Sequence, residues 1–522
     1  MDRTQEPTET SGATTPIWLA TADVPEYPAL DEHLDVDVCV VGAGIAGLTT
    51  AYLLARAGRR VAVLDDGRIA SGETGRTTAH LSYALDDRYY ELERLFGERG
   101  AKDAASSHAA AVNRIEMIVR EEGIDCDFSR LDGYLFLGGH DRRKVLEDEL
   151  QAAHRAGLAD VRMLQRAPLT SFDTGPCLVF PEQGQFHVVK YVAGLARAIE
   201  RDGGRIFTSS KVTEIEDGAR PHVKTGAGHR VTARAVVVAT NTPINDWVKM
   251  HTKQAPYRTY VIGARVEKGT VPPGLYWDTP DPYHYVRLQP GEGEQARWDY
   301  LIVGGEDHKT GHDMDPEDRV GERFRCLELW ARERFPVGPV DYQWSGQVME
   351  PVDYMGYIGR NPGGENVYIG TGDSGHGMTH GTLCGIINTD LILGRENPWA
   401  WLYDPGRVTV KPTSAMEFIK ENIDVAVQYT DYVRPGDVAS PDEIEPGEGA
   451  VLRRGAALVA CYRDADGRVH ERSAKCTHLY CIVDWNPVEK SWDCPCHGSR
   501  YDPYGVVMNG PAVSDLPKLE EG

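Results

Sequence analysis

Four of the chain's ten cysteines and two of its histidines fall within 26 residues near the C-terminus, CTHLYCIVDWNPVEKSWDCPCHGSRY (476–501). Cys476-x-His478 and Cys494-x-x-His497 offer two thiolates and two imidazoles from two loops. Two metal centres take that inventory. A tetrahedral Cys2His2 zinc is structural and redox-silent. A [2Fe–2S] centre instead places two cysteines on one iron and two histidines on the other, and its neutral imidazoles lower the cluster's negative charge and ease its reduction. The flanking residues separate the two readings. Cys481 and Cys496 add one further cysteine per loop, placed to pin the loops together with a disulfide. Ser499 and Tyr501 follow the second loop with hydroxyls that can donate to sulfur and raise the potential. A zinc site needs none of these.

A second chemical motif lies near the N-terminus, in DVDVCVVGAGIAGLTTAYLLARAGRRVAVLDDG (35–67). An apolar strand, 36–41, runs into Gly42-x-Gly44-x-x-Gly47; an amphipathic helix follows to about Ala57, and a strand, 61–64, ends at Asp65. In such a βαβ unit the glycines allow a tight turn, approach of backbone to a pyrophosphate and close helix packing, while the helix N-terminus faces negative charge. Asp65 is placed to accept the ribose hydroxyls of an adenosine. The motif alone does not separate FAD from NAD.

NVYIGTGDSGHGMTHGTLCGIINTDLILG (366–394) repeats the spacing at Gly370, Gly372 and Gly375, but no third strand or ribose-binding acid follows its helix. The unit is incomplete and is not a second dinucleotide site. It reads as a glycine-rich turn, Gly372, Asp373, Gly375 and Gly377, presenting N–H groups and a helix N-terminus to an electron-rich ligand such as a reduced flavin ring. Asp373, His376 and His380 imitate a two-histidine, one-carboxylate iron site, but their spacing and glycine-rich setting do not match the helical run that oxygenases use.

The elements that must position these groups can be read along the chain. Residues 1–30 are polar and read as a surface tail or arm. Residues 31–404 hold a nucleotide-binding fold with a second domain inserted twice: dinucleotide-binding parts at about 31–125, 173–250 and 341–404, substrate-domain parts at about 126–172 and 251–340. The segments 190–217 and 233–243 read as helix, strand and buried strand of the first. Residues 405–434 read as a connector, and 435–522 as a small all-β module of short strands and turns. The formal charge of −23 disfavours nucleic acid and anionic membranes as partners. No apolar run approaches a membrane span, and no basic start leads an apolar stretch, so the expected location is the cytoplasm. Cys39, Cys126, Cys177, Cys326, Cys384 and Cys461 are scattered and read as buried or free thiols.

The C-terminal residues resemble the Rieske family, specifically the CTHLxC…CPCHGSxY pattern of cytochrome bc-type proteins, with Gly510–Ala512 matching the loop that covers their cluster. The chain departs from that pattern at Tyr480, where glycine is usual, and in lacking a membrane anchor, which argues against quinol oxidation. The first 400 residues resemble the D-amino-acid oxidase superfamily of FAD enzymes, through the N-terminal glycine motif, SGETGRTTAHLS (71–82), VVVATN (236–241) and the glycine-rich turn before the last helix. That resemblance implies flavin contacts from Ser71, Gly72, Thr74, Gly75, Thr77 and Thr78, with Val212 and Thr240 added to Gly42, Gly44, Gly47 and Asp65. His80 stands near where some relatives tether flavin, in a shifted register. APYRTYVIG (255–263) resembles the family's pocket strand, which nominates Arg258 as a bidentate clamp for a substrate carboxylate. Tyr285 and Arg287 are rivals, and His376 is expected over the flavin. The bland alternative for either arginine is a surface salt bridge.

These readings imply an α/β plus all-β chain: a Rossmann-like FAD-binding domain with an inserted α+β substrate domain, and a C-terminal Rieske β-sandwich-like module. The expected protein is an FAD-dependent dehydrogenase that oxidises an amine or amino acid and relays electrons singly through a [2Fe–2S] cluster to an unidentified acceptor or donor. Two alternatives are a Rieske-type oxygenase and a flavoprotein whose Rieske module is structural or redox-sensing.

Overall fold

The computed structural model describes residues 11–139, 141–245, 250–312, 320–408, 432 and 434–519. Short valine-rich runs form its first sheet. Val38–Val41, Val61–Leu64 and Ala235–Val238 are buried at every residue, as parallel strands covered on both faces must be. They pair in parallel around Val38–Val41; Arg205–Phe207 and Val367–Thr371 extend the two flanks, and Tyr357–Arg360 closes one edge antiparallel. Helices Ile45–Arg56 and Gly377–Ile392 pack together over this sheet. Glycine makes that approach possible: a Cβ on Gly385 would lie 2.6 Å from Thr49 Cγ2. No further parallel strand follows the second helix among the described residues, in keeping with the incomplete second glycine motif.

A larger, mostly antiparallel sheet carries the second domain. Its order is Val340–Pro351, Gln254–Glu267, Trp298–Lys309, Tyr285–Pro290, Leu275–Asp278, Ser129–Phe136, Cys177–Gln185 and His80–Leu81. This redraws the expected boundaries. Residues 177–185 and 341–351, assigned from sequence to the nucleotide-binding parts, belong to strands of the substrate-domain sheet. Each contains a run buried at every residue, Cys177–Phe180 and Trp344–Gln347, so alternation is lost there and periodicity did not distinguish them.

The C-terminal module has two small antiparallel sheets, one of Glu448–Arg454, Ala457–Arg463 and Val469–Ser473, the other of four strands between Asp484 and Asn509. The connector expected at 405–434 lies largely outside the described residues. The N-terminal arm is not a surface tail over its described part. Ile17 and Trp18 are fully buried; Trp18 donates Nε1–H to the Thr77 carbonyl at 2.6 Å and stacks on Arg287. A buried tryptophan needs a partner for its N–H, and the loop 71–82 supplies one. The six scattered cysteines are free thiols, all buried except Cys326. No described helix is long and apolar enough to cross a membrane.

Candidate functional site

A cavity of about 490 Å³ runs between the two sheets and the C-terminal module. Gly42, Gly44, Asp65 and Val212 line it, with Ser71, Gly72, Thr74, Thr77, Thr78 and Thr240 from the loop and strand ends, and Asp373, Gly375, His376 and Gly377 from the second glycine-rich turn. Three of the expected residues do not reach it. Gly47 lies behind the turn, where a Cβ would stand 1.8 Å from the Gly42 carbonyl oxygen. Gly75 is closed in by the Ala70 carbonyl, and Gly372 by Pro351 and Gln254. They shape the cradle rather than line it.

Asp65 anchors the first turn. Its Oδ2 accepts from the Ala43 amide at 2.6 Å and its Oδ1 from Gly67 at 2.9 Å. Burial, then the neighbouring Asp66, pushes its carboxyl up to about 7, which a ribose hydroxyl donor would relieve. Gly42 sits at φ +108°, and a Cβ there would lie 2.4 Å from the Ala239 carbonyl, so only glycine keeps the cradle open. These features fit an adenine dinucleotide. His80 also faces the cavity, its Nδ1 3.0 Å from Thr78 Oγ1, with burial and then Arg287 holding its pKa down to about 3.

The arginines expected in the pocket are elsewhere. On the strand Gln254–Glu267, Thr259 and Val261 face the cavity, so Arg258 points to the opposite side of the sheet. There it is wholly buried, donating to Ser345 Oγ at 2.7 and 3.0 Å. Arg287 is wholly buried too, and its guanidinium caps the carbonyls of Thr78, Ala79 and Phe186. It holds the 71–82 loop from behind. Neither is a surface salt bridge or a substrate clamp. Tyr285 and His376 do line the cavity: Tyr285 bonds Thr259 Oγ1 at 2.6 Å, and His376 Nε2 accepts from the Asp86 amide at 2.9 Å. The imitation iron site comes apart, because Asp373 accepts from the Met349 amide and His380 Nε2 abuts Gly356.

The two cysteine–histidine loops are buried against one another. Cys481 and Cys496 form a disulfide with Cα atoms 6.4 Å apart. The sulfurs of Cys481, Cys494 and Cys496 lie within 4.8 Å of one another, but the disulfide commits two of them, leaving Cys476 and Cys494 as thiols. Those two sulfurs sit side by side, and the rings of His478 and His497 sit side by side at 5.0 Å. Sulfurs paired with sulfurs and rings with rings is the division of ligands that a two-iron cluster uses. Among the described residues His497 Nδ1 is buried without a hydrogen-bond partner, as a lone pair kept for a metal would be. The Cys476 thiol is brought down to about 6 by the hydrogen bond with Cys494, against burial, with Tyr501 and Ser499 contributing. Tyr480 takes φ +64° with 64% of its surface exposed, so the loop keeps the left-handed turn that glycine would favour.

Tyr501 Oη donates to Cys476 Sγ at 3.2 Å and receives the Thr477 amide at 3.1 Å. Tyr501→Phe is therefore expected to leave the cluster assembled and lower its reduction potential, because one donor to sulfur is lost. Voltammetry of both proteins checks this. An unchanged potential would mean that the hydroxyl serves only the Thr477 loop.

Sequence reasoning missed the joint between the module and the rest. His251, 2% exposed on the flavin side, packs edge-on against His478 at 4.8 Å and His497 at 5.8 Å. Glu489 reaches out of the module to Arg76 at 3.1 Å, Ser345 Oγ at 2.5 Å and Thr14 Oγ1 at 2.7 Å, with Arg258 4.0 Å away. Glu73 receives Asn509 Nδ2 at 3.2 Å and the Gln347 amide at 2.6 Å. Nothing in the spacing of Glu73, Arg76, His251 or Glu489 marks them. Their partners lie up to 475 residues away.

Residues 37–391 match the family described as DAO, FAD dependent oxidoreductase, and residues 435–520 match the Rieske [2Fe-2S] domain. The chain is similar to YhfW of Bacillus subtilis (strain 168), named as a Rieske 2Fe-2S iron-sulfur protein, at 30% identity over 96% of this chain and 97% of that protein. It is 28% identical to γ-glutamylputrescine oxidoreductase of Escherichia coli (strain K12), covering 70% of this chain and 86% of that enzyme. In fold it resembles glycine oxidase from Geobacillus kaustophilus, with a TM-score of 0.60 at 18% identity, over 72% of this chain and 99% of that one.

Proposed function

We propose, from the premise that this chain belongs to the DAO family of FAD-dependent oxidoreductases and ends in a Rieske [2Fe-2S] domain, that it dehydrogenates an amine or amino acid and passes the electrons singly to an acceptor. When bound, FAD supplies hydride acceptance from the C–H beside an amine nitrogen, and the cluster supplies one-electron transfer. Asp65, the Gly42–Gly44 turn and the 71–78 loop would hold FAD. Cys476, Cys494, His478 and His497 would hold the cluster.

One observation carries the reading. The module's segment around Val506–Val513 forms part of the wall of the same cavity that the flavin-binding residues line. His251 on the flavin side then orients both cluster histidines, keeping water from the joint. A module serving only as a structural appendage has no need to wall that cavity with Gly510 and Ala512, from the loop that by family resemblance covers its cluster. The E. coli relative's name supports an amine-bearing substrate.

The test is anaerobic addition of a panel of amines and amino acids to the purified protein, read by visible absorbance and EPR together. Flavin bleaching is expected with appearance of the reduced-cluster signal, and turnover is expected to run faster with a one-electron dye than with oxygen. A flavin that bleaches while the cluster stays oxidised would overturn the relay and favour a structural or redox-sensing module.

A further inference from the structure

The two arginines that would have clamped a carboxylate both point away from the cavity, and what replaces them is acidic and aromatic. At the end where Gly375 meets Asp86, the walls are Trp277, Tyr283, Tyr285, Asp86, Asp307 and Glu350. Among the described residues the only lysine and arginine lining the cavity are Lys211, beside Asp66, and Arg76, engaged with Glu489. Arg88 acts on Asp87 and Arg323 on Asp307, and neither arginine lines the cavity. Of the three lining histidines, His80 and His380 are held neutral by burial, and His376 turns Nε2 to accept from the Asp86 amide.

We infer that the site takes a cationic amine lacking a carboxylate beside the reacting nitrogen, with the ammonium held between the tyrosine and tryptophan faces and the buried acids. This deepens the function proposed above and rests on it. Tyr283 and Tyr285 stand 5.3 Å apart, and Tyr283 Oη donates to Asp86 Oδ2 at 2.5 Å, so the aromatic wall is fixed against the acidic one. Aromatic faces with carboxylates attract a cation and repel a carboxylate. Among the described residues Asp307 Oδ1 is buried without a hydrogen-bond partner, although Thr259 acts on the same carboxyl, so one oxygen is left to accept from a ligand. Burial, together with neighbouring acids, pushes Asp307 up to about 7 and raises Glu350 well above the carboxylate range. An ammonium beside Asp86, the acid that acts on both, would supply the missing counter-charge. An amino acid would bring its own carboxylate into the same space with no arginine to receive it.

The experiment titrates the FAD- and iron-loaded protein with n-butylamine, 1,4-diaminobutane, glycine, sarcosine and D-alanine, reading binding from the flavin difference spectrum and turnover separately. The amines are expected to bind at least about ten-fold more tightly than the amino acids, a gap of about 1.4 kcal/mol. Asp307→Asn is expected to weaken amine binding about ten-fold with FAD content unchanged, and Glu350→Gln gives a second reading should the first variant fold poorly. Amino acids binding as tightly as the amines, or amine affinity unmoved in a folded variant of either kind, would overturn the inference. Amine binding without flavin bleaching would leave the charge reading standing and sink the catalytic one instead.

Discussion

Glu489→Ala is expected to lower the stability of the docked protein by about 3–5 kcal/mol, because it strips buried Arg76 of its main counter-charge and leaves Arg258 with Asp493 as its main remaining one. Arg76, Arg258 and Glu489 are all fully buried, and Glu489 is the carboxylate within 4.0 Å of both guanidinium groups. Burial alone would raise the Glu489 pKa, but Arg76, Arg258 and Arg500 overcome it and bring the group down to about 2. The folded value lies below the ordinary value of 4.5, so this stabilisation is full above that pH and is lost as pH falls toward about 2. Calorimetry of a multidomain chain resolves transitions rather than one global free energy, so the quantity to follow is the first transition. It is expected to fall sharply in Glu489→Ala, with easier proteolytic release of the C-terminal module. The difference between the natural protein and Glu489→Gln is expected to shrink between pH 4.5 and 2. A first transition unmoved by Glu489→Ala would show that the module is held by other contacts.

Cys494→Ser is expected to abolish the cluster outright while FAD remains bound. Cys494 is 2% exposed, its sulfur is paired with that of Cys476, and a hydroxyl does not replace a soft thiolate on iron. Metal analysis of the natural protein is expected to return two irons per chain, following the Rieske domain at 435–520, and the variant essentially none. The flavin absorbance should persist, because the dinucleotide cradle of Gly42, Gly44 and Asp65 belongs to a different sheet. Substrate would then bleach the flavin without reducing a one-electron dye at the natural rate. One zinc per chain in the natural protein would refute the cluster, and FAD lost from the variant would show that the module is needed to close the flavin cavity.

Local pattern determined a large share of this protein. The run of glycines at 42, 44 and 47 between a buried strand and a helix, with Asp65 at the end of the next strand, is one continuous βαβ unit whose chemistry is written in consecutive residues. The cluster loops are equally local: ligands, disulfide cysteines and the Tyr501 donor lie within 26 residues, so spacing alone brings them together. The inserted domain was visible as a change of texture, but residues 177–185 and 341–351 were misplaced because the runs Cys177–Phe180 and Trp344–Gln347, buried at every residue, lack the alternation that marks a sheet face.

Only the tertiary structure decided which side chains face the cavity and how the two redox modules meet. Arg258 and Thr259 are adjacent in sequence, yet a strand sends them to opposite faces, so one joins the Glu489 network and the other lines the cavity. Trp18, read as part of a polar tail, is buried because the loop 71–82 and Arg287 offer it a carbonyl and a cation. His251 meets His478 and His497 across more than 220 residues of chain. Local sequence specifies which ligands a loop carries, since short-range geometry follows residue type. Contacts between distant residues depend on the packing of whole sheets, and that packing leaves no periodic trace in the residues it joins.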